Sequence, residues 1–209
     1  MAAGWPEAPR PSAAAVAERE AILAAAAIGD YEAVRARSQH RDDRVRATVF
    51  RVLASGGVLE DEEVVRGYCD HSARVRAAVA EIAASDLRVP LEVLLGDDAA
   101  GVVETACWAS GERGTDARDA VPVLMAVSRD HDDPLCREAA VAALGAIGDV
   151  VALPAILEAT KDKATVRRRA IIALAPFDSP EVTSTLRQAL EDRDWQVRQA
   201  AEDLLAASE

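Results

Sequence analysis

The feature of the sequence that most constrains the fold is a unit of about 30 residues that recurs along most of the chain. Its clearest copy is DHDDPLCREAAVAALGAIGD, residues 130–149, whose apolar residues recur at the spacing of one buried helical face: Cys136, Ala140, Ala143, Leu144 and Ile147. The copies align on the apolar residue that begins each second helix, with spacings of 27 to 34 residues: Ala17, Val45, Val75, Val102, Cys136, Val166 and Val197. Because one helix pair cannot bury its apolar face alone, this period predicts a stacked array of helix pairs.

Helix start and stop signals give the boundaries. Ser12 is predicted to cap a helix that runs to about Ile28, and the shorter first helices are expected near residues 30–38, 60–68, 90–95, 116–128, 150–160 and 180–190. Thr115 and Ser179 are further candidate caps, while Gly111 and Gly114 are expected between helices. We therefore expect about thirteen helices and no strand. Residues 1–11 are predicted to be a mobile tail and residues 12–209 a single repeat domain.

The sequence that follows these apolar residues, which we call the anchors, is itself repeated. VRATVFRVL, VRAAVAEIA, VRRRAIIAL and VRQAAEDLL share Val-Arg followed by apolar residues at fixed positions, and the third unit departs with Val103 in place of the arginine. These units resemble the HEAT-like repeat of the phycobilin-lyase type, over nearly all of residues 12–209. The resemblance implies an all-α, right-handed α-solenoid of about six two-helix repeats with an N-terminal capping helix. It also implies a protein-binding scaffold, since only a few enzymes and lyases occur among such repeats.

Charge and cysteine usage limit the function classes. The formal net charge is −12 and the pI about 4.8, a balance that disfavours nucleic acid and favours a protein partner with a basic surface. The three cysteines have no metal or disulfide spacing, and no uncharged apolar run of about 18 residues occurs. We therefore expect a cytoplasmic protein with reduced thiols, no signal peptide and no membrane partner.

The arginines that follow the anchors are a first candidate for function. They are Arg46, Arg76, Arg137, Arg167 and Arg198, and six residues before each stands His40, Asp70, His131, Lys161 or Asp192. A basic ladder for anions is one interpretation. The favoured one is a stacking ladder between neighbouring units, because these arginines follow the repeat itself and a guanidinium can bond a carboxylate through two donors.

No motif points to catalysis. GxSxG, Walker, GxGxxG and HExxH patterns do not occur, and the Asp-His-Asp-Asp turn at residues 130–133 is better explained as an acidic turn than as a metal site. The basic cluster Arg167-Arg168-Arg169 spreads over more than half of a helix circumference and is read as a solvated face. No catalytic residue, cofactor or metal is therefore predicted.

Trp108 is the most informative single side chain. It stands six residues after Val102, in an outward row where the other units place Arg51, Glu81, Ala142, Ile172 and Asp203, with Glu104 and Glu112 at helical spacing around it. It is either an interface anchor or a residue buried under the 111–115 loop. Our candidate partner-binding residues are Trp108, Glu104, Arg51 and Glu81. Trp195 is expected to pack in the turn of the last unit, and Trp5 lies in the tail.

Three function classes follow. The first is a non-enzymatic scaffold or adaptor that binds a protein on the concave surface of the second helices. The second, implied by the family resemblance, is a bilin lyase or chaperone subunit, although no aromatic cavity is evident in the sequence. The third is an alkylpurine glycosylase of the HEAT-like type, which the net charge of −12 disfavours because such enzymes bind DNA in a basic groove.

Overall fold

The computed structural model describes residues 12–207, and within them the chain is entirely helical, without a strand. The described residues form thirteen α-helices, in agreement with the prediction of about thirteen: α1 Ala13–Ala27, α2 Tyr31–Arg35, α3 Asp43–Ser55, α4 Asp61–Tyr68, α5 Ala73–Ile82, α6 Leu91–Leu95, α7 Ala100–Arg113, α8 Val121–Asp130, α9 Pro134–Ile147, α10 Leu153–Ala159, α11 Ala164–Ala173, α12 Pro180–Ala189 and α13 Trp195–Ala207. After α1 they form six pairs, each a shorter first helix followed by a second helix that contains the anchor. The chain divides into two compact units, Met1–Ala78 and Val79–Glu209.

The first unit begins with a capped helix. The Ser12 hydroxyl accepts a hydrogen bond from the Ala15 amide at 3.1 Å, as the sequence predicts. Gly29 ends this segment with φ of +76°, and Gly148 ends α9 with φ of +67°, so the two Ala-Ile-Gly-Asp sequences share a left-handed residue. Apolar side chains of α1, α2 and α3 form the core of this unit: Ile22, Val34, Val45, Val49, Phe50 and Leu53.

In the second unit the second helices α7, α9, α11 and α13 pack side by side in chain order. Their anchors Val102, Cys136, Val166 and Val197 are buried, as the helical period requires. The helices α9 and α11 approach closely where Gly145 faces Ala173: a Cβ on Gly145 would stand 2.7 Å from the Ala173 Cα. Small residues therefore set the separation of these helices.

The anchor arginines form the predicted ladder. Arg46, Arg137 and Arg167 each donate two hydrogen bonds, of 2.6 to 2.9 Å, to an aspartate in the turn of the next repeat: Asp70, Asp162 and Asp192. The remaining guanidinium nitrogen, Nη1, donates to a backbone carbonyl of the arginine's own turn, for example from Arg137 Nη1 to the His131 oxygen at 2.7 Å. Each of these guanidiniums therefore joins two consecutive turns, which supports the stacking interpretation over an anion site.

One pairing differs from the prediction. The carboxylate that receives Arg137 belongs to Asp162, five residues before Arg167, and not to the residue at position 161. Lys161 could not accept a hydrogen bond from a guanidinium, because its ammonium only donates. The turn places the neighbouring aspartate in that role instead.

The two histidines at ladder positions replace aspartate. Asp70 and Asp192 each accept the amide of the residue two positions on, Ser72 at 2.8 Å and Asp194 at 2.8 Å. His40 and His131 do the same through Nδ1, which accepts the amides of Asp42 and Asp133 at 3.0 Å. These imidazole rings therefore stabilise their turns as hydrogen-bond acceptors.

Two local predictions were wrong. Gly111 lies inside α7, and Thr115 lies inside a 3-10 turn, Gly114–Ala120, that precedes α8, so it caps no helix. The helix expected at residues 116–128 is therefore this turn followed by α8, which begins beside Pro122 because proline fits the first turn of a helix. The predicted tail at residues 1–11, with Trp5, lies outside the described residues, and a single domain over residues 12–209 stays a prediction.

Candidate binding groove on the second helices

A groove of about 710 Å³ lies on the second helices of the second unit, and we call it the Trp108 groove. Residues of α5, α7, α9 and α11 line it: Glu81, Glu104, Thr105, Cys107, Trp108, Gly111, Glu112, Leu135, Glu138, Ala139, Ala142, Ala143, Ala146 and Arg169. Four alanines come from α9, and their short side chains leave the open volume beside the large indole. The groove is therefore produced by a contrast of side-chain size between α7 and α9.

Trp108 is 50% exposed, which favours the interface reading over burial under the following loop. It lies in the middle of α7, with Glu104 one turn before it and Glu112 one turn after it on the same helical row. Both carboxylates are exposed. A large aromatic surface thus stands in solvent between two negative charges.

The groove carries an uneven charge. Four glutamates and one arginine are among its lining residues, and Arg169 is joined to Glu138 by an ion pair of 3.4 Å. Within residues 12–207 the carboxylates of Glu104 and Glu112 take part in no hydrogen bond or ion pair with another side chain. Unpaired acidic groups beside an aromatic face attract a cation, by charge and by its interaction with the ring.

The thiols of Cys107 and Cys136 are poorly reactive. Burial raises the pKa of Cys107 far above its ordinary value, and burial also raises the pKa of Cys136 to about 11. Both thiols are therefore protonated at neutral pH and poor nucleophiles. Among the described residues no group of three or more His, Cys, Asp or Glu side chains is arranged to hold a metal ion, and no helix there is long and apolar enough to cross a membrane.

A second groove, of about 450 Å³, lies between α11 and α13, and we call it the Trp195 groove. Its lining is mainly apolar or neutral: Arg168, Ile172, Ala175, Trp195, Gln196, Gln199, Ala200, Asp203 and Leu204. Trp195 is 65% exposed, so the expectation that it packs in the turn was wrong. As the first residue of α13, it projects from the helix start before the buried face at Val197 begins.

The structure brings together three of the four predicted binding residues. Glu81, Glu104 and Trp108 line the same groove, whereas Arg51 is an exposed residue of α3 in the first unit. Sequence reasoning missed Glu138, Leu135 and Arg169. A signal was available for part of this lining, because positions two, six and ten after each anchor form one helical row, and Glu138 occupies the second position after Cys136.

Arg113 was also missed, but its role is structural. Its guanidinium at the end of α7 donates to the backbone oxygens of Asp86 at 2.7 Å and Val89 at 2.8 Å. Burial lowers the pKa of this arginine, and the acidic neighbour Asp86 partly offsets that effect. Arg113 thus holds residues 86–89, which precede α6, against α7, the helix that carries Trp108.

Comparison with known proteins identifies the family. A family profile described as HEAT repeats matches residues 87–175 and 159–208, which together are more than half of the chain. The chain belongs to the HEAT-repeat family. This match concerns HEAT repeats in general and does not separate the phycobilin-lyase type from the others.

Solved structures agree on the fold. The crystal structure of the Escherichia coli protein YibA has a TM-score of 0.65 at 19% identity, over 97% of this chain and 77% of that one. A computationally designed armadillo repeat protein for modular peptide recognition has a TM-score of 0.61 at 17% identity, covering 85% and 98%. A designed armadillo repeat protein in complex with peptide (KR)4 has a TM-score of 0.57 at 16% identity, covering 92% and 98%. No curated protein matches the sequence significantly.

Proposed function

We propose that this HEAT-repeat protein is a non-enzymatic scaffold that binds a basic segment of a protein partner in the Trp108 groove. The observation that carries the proposal is the exposed indole of Trp108 between the unpaired carboxylates of Glu104 and Glu112. Stacking of repeats does not require an aromatic at this outward position, since the equivalent residues are Ala142 in α9 and Ile172 in α11.

A lysine or arginine side chain fits this arrangement. Its aliphatic stem can lie on the indole face while its charged end reaches the carboxylates, and such contacts stabilise a complex by about 0.5–2 kcal/mol each. Glu81 adds a further carboxylate to the groove, and the net charge of −12 brings cationic partners toward the surface. Support of a weaker kind comes from the fold, because one designed armadillo repeat protein of similar architecture binds the basic peptide (KR)4.

The test is binding of a fluorescein-labelled (KR)4 peptide, measured by anisotropy at low and at physiological salt. Trp108→Ala should weaken binding at least about tenfold, because truncating a central interface tryptophan commonly costs 2 kcal/mol or more. Circular dichroism should show an unchanged helical signal, since the side chain is half exposed. Arg51→Ala in the same assay tests whether this predicted contact belongs to the site.

General attraction between opposite charges must be separated from a site. The double variant Glu104→Gln, Glu112→Gln removes two groove charges, and Glu158→Gln, Glu191→Gln removes two exposed charges from outside the groove. The proposal requires the first pair to weaken binding several-fold more than the second. Equal effects of the two pairs, or unchanged binding by Trp108→Ala, would contradict it.

A further inference from the structure

The Trp195 groove lies further along the same row of second helices than the Trp108 groove. Its residues Arg168 and Ile172 occupy the positions in α11 that Glu104 and Trp108 occupy in α7, two and six residues after the anchor. One helix contributes to both grooves, because Arg169 of α11 lines the first and Arg168 lines the second. The two grooves are therefore two sites on the second helices of the second unit, with α11 contributing to both.

The chemistry of the second groove is different. Trp195 is 65% exposed and Ile172 is 42% exposed, and both stand in a lining whose charged groups are one arginine, Arg168, and one aspartate, Asp203. Opposite charges in equal number give no preference for a cation. Exposed apolar side chains that cluster in a concave site instead favour a large apolar side chain of a ligand.

We infer that the Trp195 groove is an apolar subsite that receives a large aliphatic or aromatic side chain from the same partner segment whose basic residue occupies the Trp108 groove. This inference rests on the proposed function and specifies the partner further. The partner is an extended segment in which one basic and one apolar anchor are separated by a fixed interval. The two grooves together therefore select the distance between these anchors as well as the charge.

The interval follows from helix packing. Neighbouring packed helices lie about 8–10 Å apart, and two to three such steps separate Trp108 on α7 from the gap between α11 and α13. The span is therefore about 16–30 Å, and an extended chain advances about 3.3 Å per residue. An apolar anchor about five to nine residues from the basic anchor can reach the second groove, whereas one two residues away cannot.

Synthetic peptides test this directly. A first peptide carries two arginines in a Gly/Ser background, a second adds leucine six residues from them, and a third places the leucine two residues from them. We expect the second peptide to bind at least about tenfold more tightly than the first, and the third to resemble the first. Both chain directions are synthesised, because the direction of the segment along the grooves is part of the measurement.

Variants separate the two sites. Trp195→Ala should abolish the gain from leucine and leave the affinity for the first peptide unchanged, whereas Trp108→Ala should weaken both peptides. Ile172→Ser removes apolar surface from the same subsite, but on α11. If Trp195→Ala and Ile172→Ser both abolish the gain from leucine, unfolding at the start of α13 cannot be the common cause, because only Trp195 lies there.

The outcomes distinguish the two proposals. If the arginine peptide binds in the Trp108 groove but leucine six residues away adds nothing in either chain direction, the apolar subsite is refuted and the proposed function stands. A leucine gain that survives both Trp195→Ala and Ile172→Ser also refutes the subsite. If no arginine peptide binds even at low salt, the proposed function fails and this inference fails with it.

Discussion

Replacing Gly145 with alanine should destabilise the protein although it improves the helix. Gly145 lies in the last turn of α9, where alanine is more favourable than glycine by at most about 1 kcal/mol in an unrestrained helix. Here, however, the new Cβ would stand 2.7 Å from both the Cα and the Cβ of Ala173 and 3.0 Å from its carbonyl oxygen. Carbon atoms in contact prefer about 3.5–4.0 Å, and two of the three obstacles are backbone atoms that cannot rotate away.

The net effect can be estimated from these distances. To accept the methyl group, α9 and α11 must separate by about 1 Å, and overpacking of this kind costs about 1–3 kcal/mol. Because the gain in helix propensity is at most about 1 kcal/mol, we expect Gly145→Ala to lower the free energy of unfolding by up to about 3 kcal/mol. In a chain of this size that corresponds to a fall in Tm of up to about 12 °C.

Two other glycines provide matched controls. A Cβ on Gly101, in the first turn of α7, would meet no atom within 4 Å, so Gly101→Ala should raise the stability, by at most about 1 kcal/mol. At Gly111 the nearest atom would be the Ala143 Cα at 3.4 Å, so Gly111→Ala should lie between the other two. Urea and thermal unfolding, followed by circular dichroism, measure the series. If Gly145→Ala were as stabilising as Gly101→Ala, the close contact of α9 with α11 would be refuted.

Two predictions concern the arginine ladder. Asp192→Ala should lower the free energy of unfolding by about 2–3 kcal/mol, because it leaves the buried guanidinium of Arg167 without its carboxylate. Arg198→Ala removes only a hydrogen bond to the Asp192 carbonyl and should cost about 0.5–1.5 kcal/mol. Equal losses of stability for the two variants in urea titrations would contradict the ladder. The hydrogen bonds from Arg137 hold the pKa of Asp162 below its ordinary value, so this group stabilises the fold above the unfolded-state pKa of about 4 and loses that contribution as the pH falls through the lower folded-state pKa. Unfolding measured between pH 7 and pH 3 should therefore show a smaller acid-side loss of stability for Asp162→Asn than for the unmodified chain, and parallel curves would refute the linkage.

Much of the architecture could be predicted from the sequence because repetition supplies many copies of the same evidence. The period of the anchors gave six helix pairs and an opening helix, and the caps Ser12 and Ser179 were identified from residue type alone. Prediction failed where one copy departs from the others. Gly111 reads as a break in a single sequence, yet in α7 it is held within the helix and packs near Ala143.

The binding site was only partly predictable, for a different reason. Trp108 and its glutamates share one helix, so helical geometry placed them together. The remaining lining comes from α9 and α11, and Glu138 and Arg169 enter the groove through packing between repeats. The exposure of Trp195 depends on where α13 begins relative to its neighbours, which a period of about 30 residues fixes only to within a turn of helix.

The ladder also implies that the repeats cannot be exchanged freely. Both histidine turns follow a unit that has no arginine at the ladder position: His40 comes after Glu18, and His131 comes after Val103. An aspartate turn, in contrast, receives the arginine of the unit before it, as Asp162 receives Arg137. A repeat that begins with histidine is therefore suited to follow a repeat without the arginine, and shuffling or duplicating units would leave a guanidinium facing an imidazole or a carboxylate facing a valine. The residues of the turns therefore restrict the order of the repeats. The unit that begins at Asp162 is the suitable one to duplicate when lengthening this protein, because Asp162 accepts an arginine from the unit before and Arg167 donates to an aspartate of the unit after.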